Sequence, residues 1–238
     1  MGKTKIEWCD YSINPIKGLC PVDCKDTQGK SYCYARRMYK RFKWNPEIRI
    51  TPLFDVRVPE GSRIFVGSTI ELFGPWIKPE WLTYIFQWVS CHPKHTFIFL
   101  TKQPQNLPKE FPDNCWVGVS ATNVQMYDSA IFYLNNIHAR VKYISLEPLL
   151  GSVKPDVLDA MPHVLNWVII GLETPYSKKT APRIEWVKEI VEACDKSKIP
   201  VFLKNNIFQV FVDAKQSIRL PDWAKDNNIG GLRQELPK

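Results

Sequence analysis

Short apolar runs recur along most of this chain, and several alternate with longer stretches whose apolar residues fall three and four apart. The runs Arg63–Ser68 (RIFVGS), His95–Lys102 (HTFIFLTK), Cys115–Ala121 (CWVGVSA), Val141–Leu146 (VKYISL), Asn166–Leu172 (NWVIIGL) and Ile199–Lys204 (IPVFLK) read as buried strands. Lys5–Trp8 reads as a first strand ahead of them. Pro79–Cys91 places Trp81, Leu82, Ile85, Phe86 and Val89 on one helical face. Asn123–His138 does the same with Ala130, Ile131, Leu134 and Ile137, and Ile184–Ser197 with Trp186, Val187, Ile190, Val191 and Cys194. Tyr34–Lys43 has helical composition. Pro104–Phe111 is a link or short helix, Gly151–Leu165 an irregular connection, and the tail from Asn205 is mixed.

Strand and helix in alternation predict parallel strands joined by right-handed crossovers. Near-continuous apolar strands predict a sheet covered on both faces. The count of about seven strands lies near the eight of a closed barrel. The expected fold is α/β: a partial or full parallel (β/α) barrel over residues 1–238, with 205–238 an extension packed on it. A doubly wound open sheet is the alternative, but no G-x-G-x-x-G follows the first strand.

Of the 238 residues, 45% are hydrophobic and 13% aromatic, which suffices for a sizeable core and excludes a disordered chain. The net charge of +8 permits an anionic partner such as nucleic acid without demanding one. Arg36, Arg37, Lys40, Arg41 and Lys43 crowd the Tyr34–Lys43 helix. They read either as a solvated face or as a basic wall able to meet a polynucleotide backbone. The N-terminal MGKTKIEWCD carries no apolar signal core, and no run approaches the roughly 18 residues of a membrane span. Seven cysteines without a secretory signal point to a reducing cytoplasm, where clustered thiols serve metals or catalysis.

Three of those cysteines, Cys20, Cys24 and Cys33, stand in a C-x3-C-x8-C pattern within Gly18–Arg37. Thiolates on one loop can hold three corners of an iron–sulfur cluster and leave one iron open. The competing reading is structural zinc with Cys9 or a distant histidine as fourth ligand, although no second hook of paired cysteines follows. Cys91, Cys115 and Cys194 read as packing, as do Trp81, Trp116 and Trp186.

Polar groups end the strands: Ser68 with Glu71 beyond it, Thr101 and Lys102, Ser120 with Thr122 and Asn123, Glu147, Glu173 and Thr174, and Lys204 with Asn205 and Asn206. The working face of a parallel barrel lies at those ends. Lys102, Glu147, Glu173 and Lys204 would either bind a zwitterionic ligand there or form a structural ion-pair network.

In KIEWCDYSINPIKG, CYARRM, FLTKQP, WVGVSATN, ISLEPLLG, WVIIGLET and VFLKN, taken in order, the chain resembles the radical S-adenosylmethionine superfamily. More closely it resembles a phage- and prophage-associated family of three-cysteine proteins. The resemblance implies a [4Fe-4S] cluster after the first strand with S-adenosylmethionine on its open iron. It also implies reductive cleavage of that cofactor and hydrogen abstraction from a substrate. By the same analogy Ser68 and Glu71 lie near the cofactor's amino group, and Ser120, Asn123 and Glu147 near its ribose. Lys102, Glu173 and Lys204 are left to the substrate as candidate catalytic residues, or to ion pairing. An electron donor of flavodoxin or ferredoxin type is expected, and a nucleotide or nucleic-acid substrate and a dedicated partner protein fit the pattern. The motif departs from the superfamily's C-x3-C-x2-C by a polar insertion, Asp26–Ser31. Such a loop can bulge outward without moving its ends, at little extra closure entropy. A metal-stabilised barrel that binds nucleic acid or a partner protein without catalysis is the alternative function.

Overall fold

The computed structural model describes residues 2–153, 164–214, 220–226 and 231–237. The chain divides into two compact units, Met1–Gly118 with Asn136–Arg140, and Val119–Asn135 with Val141–Lys238. Each is built from mostly parallel strands and flanking helices, the α/β architecture expected from the alternation of runs.

In the first unit β1 (Gly2–Lys3) lies antiparallel to β2 (Tyr11–Ile13). From β2 the sheet continues in parallel through β5 (Arg63–Val66) and β6 (Thr96–Thr101), in the registers Tyr11↔Ile64 and Arg63↔Thr96. β7 (Cys115–Ser120) begins in this unit. On β6, Phe97, Ile98 and Phe99 are all fully buried, so both faces of that strand are covered. Phe73, Phe86, Phe99 and Phe111 form one cluster of mostly edge-on rings, with contacting centroids 5.4 to 6.3 Å apart. Helix α2 (Pro79–Ser90) contributes Phe86 to it and buries Ile85 and Val89.

The first parallel strand is β2, not Lys5–Trp8. Residues 7 and 8 form a turn, closed by the Cys9 N–H donating to the Ile6 carbonyl. Trp8 is buried edge-on against Phe65 at 4.9 Å, which accounts for the apolar pattern there without a strand. The register of β2 is fixed by Asp10, whose carboxylate accepts from both the backbone N–H and the guanidinium of Arg63. A separate antiparallel ribbon, β3 (Ile16–Lys17) with β4 (Arg49–Ile50), encloses the cysteine loop and α1 (Tyr34–Phe42).

In the second unit β8 (Val141–Leu146), β9 (Trp167–Ile170) and β10 (Val201–Leu203) are parallel. Helix α3 (Val124–Asn135) buries Tyr127, Ala130 and Leu134. Helix α4 (Ile184–Ser197) buries Val187, Ile190, Val191 and Cys194. Among its described residues the mixed tail contains an α-helix, α5 (Phe208–Asp213), with Val210 and Phe211 inward. The chain then returns along β10: the Leu203 N–H donates to Arg233 O, the Glu235 N–H to Val201 O, and Trp167 Nε1 to Glu235 O at 2.8 Å. Most of the connection 151–165 lies outside the described residues.

Two expected core tryptophans are only half-buried. Trp81 and Trp186 each lie under a cation from the residue that starts their own helix, Lys78 at 5.3 Å and Arg183 at 5.9 Å. Trp116 is buried as expected. Among the described residues no helix is long and apolar enough to cross a membrane.

Candidate functional site

The cysteine loop leaves the β3–β4 ribbon at Gly18. That residue has φ 134°, and a Cβ there would come within 2.6 Å of Ile48 Cα, so the loop's exit needs glycine. The Gly18 N–H donates to Tyr39 Oη at 2.7 Å, and the Leu19 N–H to Pro46 O. Arg36 reaches back from α1 and donates to the carbonyls of Cys20, Pro21 and Val22. One helix thus fixes the loop at two points, by a buried phenol and by a guanidinium.

The insertion Asp26–Ser31 forms a small outward hairpin. Lys25 and Ser31 pair antiparallel at its base. Asp26 Oδ1 accepts from the N–H groups of Gln28 and Lys30, and Gly29 at φ 76° makes the turn. The Tyr32 N–H donates to Cys24 O at 3.0 Å, so the ends of the insertion are held together. The bulge anticipated from the polar sequence is therefore what the chain adopts, and it leaves Cys24 and Cys33 close.

Cys20, Cys24 and Cys33 act electrostatically on one another. The Cys24 thiol donates a hydrogen bond to the Cys33 sulfur. That bond, aided by the backbone N–H groups of Arg36 and Ala35 and by the Arg36 charge, pulls Cys33 down to about 6. Cys24 is held up, first by the proton it donates to Cys33 and then by burial, with the Lys102 charge acting the other way. Burial raises Cys20, opposed by backbone hydrogen bonds from Glu71, whose N–H lies 3.4 Å from the sulfur, and from Val22. Three soft donors on one loop, with main-chain N–H groups aimed at the sulfurs of Cys20 and Cys33, fit an iron–sulfur cluster with three protein ligands. Among the described residues no three His, Cys, Asp or Glu are arranged to hold a single metal ion. A cluster does not ask for that convergence, because each thiolate takes its own iron.

Glu71 is buried behind the thiols, and its carboxylate is fully engaged. It accepts from the Phe73 N–H at 3.0 Å, Thr101 Oγ1 at 2.6 Å and the Lys102 N–H at 2.8 Å. Glu71 thereby ties the end of β6 to the turn beneath Cys20, and faces that cysteine with its backbone. Ser68 donates to Asn14 Oδ1, and its carbonyl accepts from the Tyr34 hydroxyl.

The remaining candidates belong to the second unit. Ser120 is buried at the end of β7. Asn123 accepts the Met126 N–H at 3.0 Å and so caps the start of α3. Glu147 and Lys204 form a half-buried ion pair. Glu173 is buried and accepts from Thr180 Oγ1 at 2.6 Å. Asn206 exchanges hydrogen bonds with the backbone of Leu172, holding β9's exit.

Of the other cysteines, Cys9, Cys115 and Cys194 are buried and pushed up to about 12 by burial, which makes them inert. Cys91, expected to pack, is exposed. Two residues that position the loop, Arg36 and Tyr39, carry no distinguishing signal in a basic, aromatic helix. Asn14 and Asp26 carry a faint one, since a short polar side chain beside Pro15 or before Gly29 favours hydrogen bonds to nearby backbone.

The family described as "Protein of unknown function (DUF5131)" matches residues 3–210. No curated protein matches the chain. Among solved structures, one titled "Spore photoproduct lyase complexed with dinucleoside spore photoproduct" is similar with a TM-score of 0.48 and 13% identity, covering 83% of this chain. The chain spans 64% of that structure's length.

Proposed function

The chain belongs to the DUF5131 family, whose description carries no activity, and from its own residues we propose a radical S-adenosylmethionine enzyme with a [4Fe-4S] cluster on Cys20, Cys24 and Cys33. The observation that supports it is the loop itself: its three thiols lie near enough to act electrostatically on one another, and backbone N–H groups bond to the sulfurs of Cys20 and Cys33. Held by those three thiolates, a cluster with one open iron would provide the one-electron chemistry by which S-adenosylmethionine is reductively cleaved.

The chain's residues then have separate tasks. Cys20, Cys24 and Cys33 bind the cluster as thiolates. Arg36 holds the loop carbonyls, and its charge offsets part of the negative charge gathered there. Glu71 orients the turn whose N–H meets Cys20. Lys102 adds a positive charge beside Cys24. Ser68, Ser120, Asn123 and Glu147 belong to this proposal as cofactor-binding residues through their strand-end positions, with Glu173 and Lys204 on the substrate side. A flavodoxin- or ferredoxin-type protein is the proposed electron donor.

Anaerobic reconstitution with iron and sulfide tests the reading. The expected result is about four irons per chain, lost in a Cys20, Cys24, Cys33 triple Ala variant. The electron spin resonance signal of the reduced protein should also change on adding S-adenosylmethionine. A colourless protein holding one zinc, or no metal, would overturn the proposal in favour of a metal-stabilised or metal-free binding protein.

A further inference from the structure

We infer that the outer face of α1, with the turn that follows it, is a docking surface for single-stranded nucleic acid. Residues 34–46 contain five Lys and Arg residues and no Asp or Glu. Ala35 and Tyr39 turn inward and Arg36 is committed to the cysteine loop, while Lys40, Arg41 and Lys43 are exposed.

The charge alone would describe any solvated helix face. Two rings set this one apart. Phe42 is 53% exposed and Trp44 41%, and they stack with centroids 5.6 Å apart at 21°. Two residues apart on a helix, side chains point in opposed directions. Here Lys43 sits at φ 50°, ends the helix and folds Trp44 back beside Phe42. The Trp44 N–H donates to Tyr39 O, which locks that turn. The Arg41 guanidinium lies 5.3 Å from the Phe42 centroid.

An exposed pair of stacked rings with cations against it is a platform that an unpaired strand uses: a base stacks on the pair and phosphates meet the cations. A duplex offers no free base faces to such a platform. An interfacial membrane helix needs a broad apolar face, whereas α1 turns Ala35 and Tyr39 inward and leaves only the separate rings of Tyr34 and Phe42 exposed, with Trp44 beyond its end. The helix runs about 14 Å from its start, where Cys33 caps it, to this platform. The surface stands on its own residues whether or not the thiols carry a cluster.

The test is fluorescence anisotropy on the full chain with a labelled mixed-sequence DNA single strand of about 15 nucleotides, and with its duplex. The single strand is expected to bind more tightly than the duplex. Trp44→Ala and Phe42→Ala should each weaken it by about tenfold. Replacing Lys40, Arg41 and Lys43 by Ala should flatten the dependence of log Kd on log salt by about two units. Should Trp44→Ala fail to fold by circular dichroism, Phe42→Ala and the triple variant decide. The inference is overturned by no binding, by binding that survives these substitutions, or by equal binding to the duplex or to phosphatidylserine vesicles. A protein that fails to take up iron yet shows the expected binding would count against the cluster alone.

Discussion

Lys204 and Glu147 pair over Gly171, which leaves no space for a side chain beneath them. A Cβ at position 171 would lie 2.9 Å from Lys204 Cδ and 3.2 Å from Glu147 Cγ and Cδ. The pair is half-buried, with side-chain exposures of 17% and 24%.

Gly171→Ala should therefore displace both charged side chains and cost about 1–3 kcal/mol, the usual range for overpacking. Glu147→Gln, which leaves the Lys204 ammonium without a carboxylate, should also destabilise the second unit. Thermal denaturation followed by circular dichroism checks both. An alanine variant that melts with the wild type would show that the pair is not seated on the glycine.

The Asp10–Arg63 pair predicts an acid-sensitive first unit. The hydrogen bond from Arg63 holds the Asp10 carboxyl below its ordinary 3.8. A depressed folded value means stability present above the ordinary value and lost as pH falls through the folded one. Melting temperature should thus drop as the solution is acidified below 3.8, and part of that drop should vanish in Asp10→Asn. Identical acid limbs for the two proteins would rule the pair out as a contributor.

The hairpin 25–31 should be dispensable for metal uptake. Its base is bridged, and Tyr32 is already bonded to Cys24. Deleting Asp26–Ser31 joins Lys25 to Tyr32, the residue next to its cross-strand partner Ser31, so a short gap has to close to one peptide step of about 3.8 Å. The shortened protein is expected to fold and to take up iron at the wild-type level on reconstitution. Iron lost from a folded deletion variant would mean that the hairpin shapes the thiol geometry.

Lys198 ends α4 at φ 57°, a left-handed conformation, and its side chain is exposed. Lys198→Gly should raise stability by up to about 1 kcal/mol, because glycine enters that region without the Cβ penalty. Urea denaturation reads the change as a higher midpoint at unaltered slope.

The long elements were legible because their burial is periodic. Val141–Leu146 and Ile184–Ser197 coincide with the structure to the residue, and the other long strands differ only at their ends. The short strands β1 to β4 were not, since a run such as Tyr11–Ile13 is too short to show a period and owes its place to Asp10 meeting Arg63 from far along the chain. At the thiol loop the three cysteines stood out by residue type. The groups that support them did not, because the backbone N–H of Glu71 and the guanidinium of Arg36 act through geometry that composition does not encode. Glu71 itself was picked out for its carboxylate, whereas that group faces Thr101 and Lys102 and the main chain faces the sulfur.

The β3–β4 ribbon closes a neck. Ile16 pairs with Ile50, Lys17 with Arg49, and the Thr51 N–H bonds to Pro15 O at 2.7 Å. The chain thus departs and comes back through one narrow gate, and the thiols, the hairpin and α1 all hang beyond it. The register of β2 on β5 rests on Asp10 and Arg63, both of which lie outside that gate, so a change in the length of the enclosed hairpin has no covalent need to disturb it.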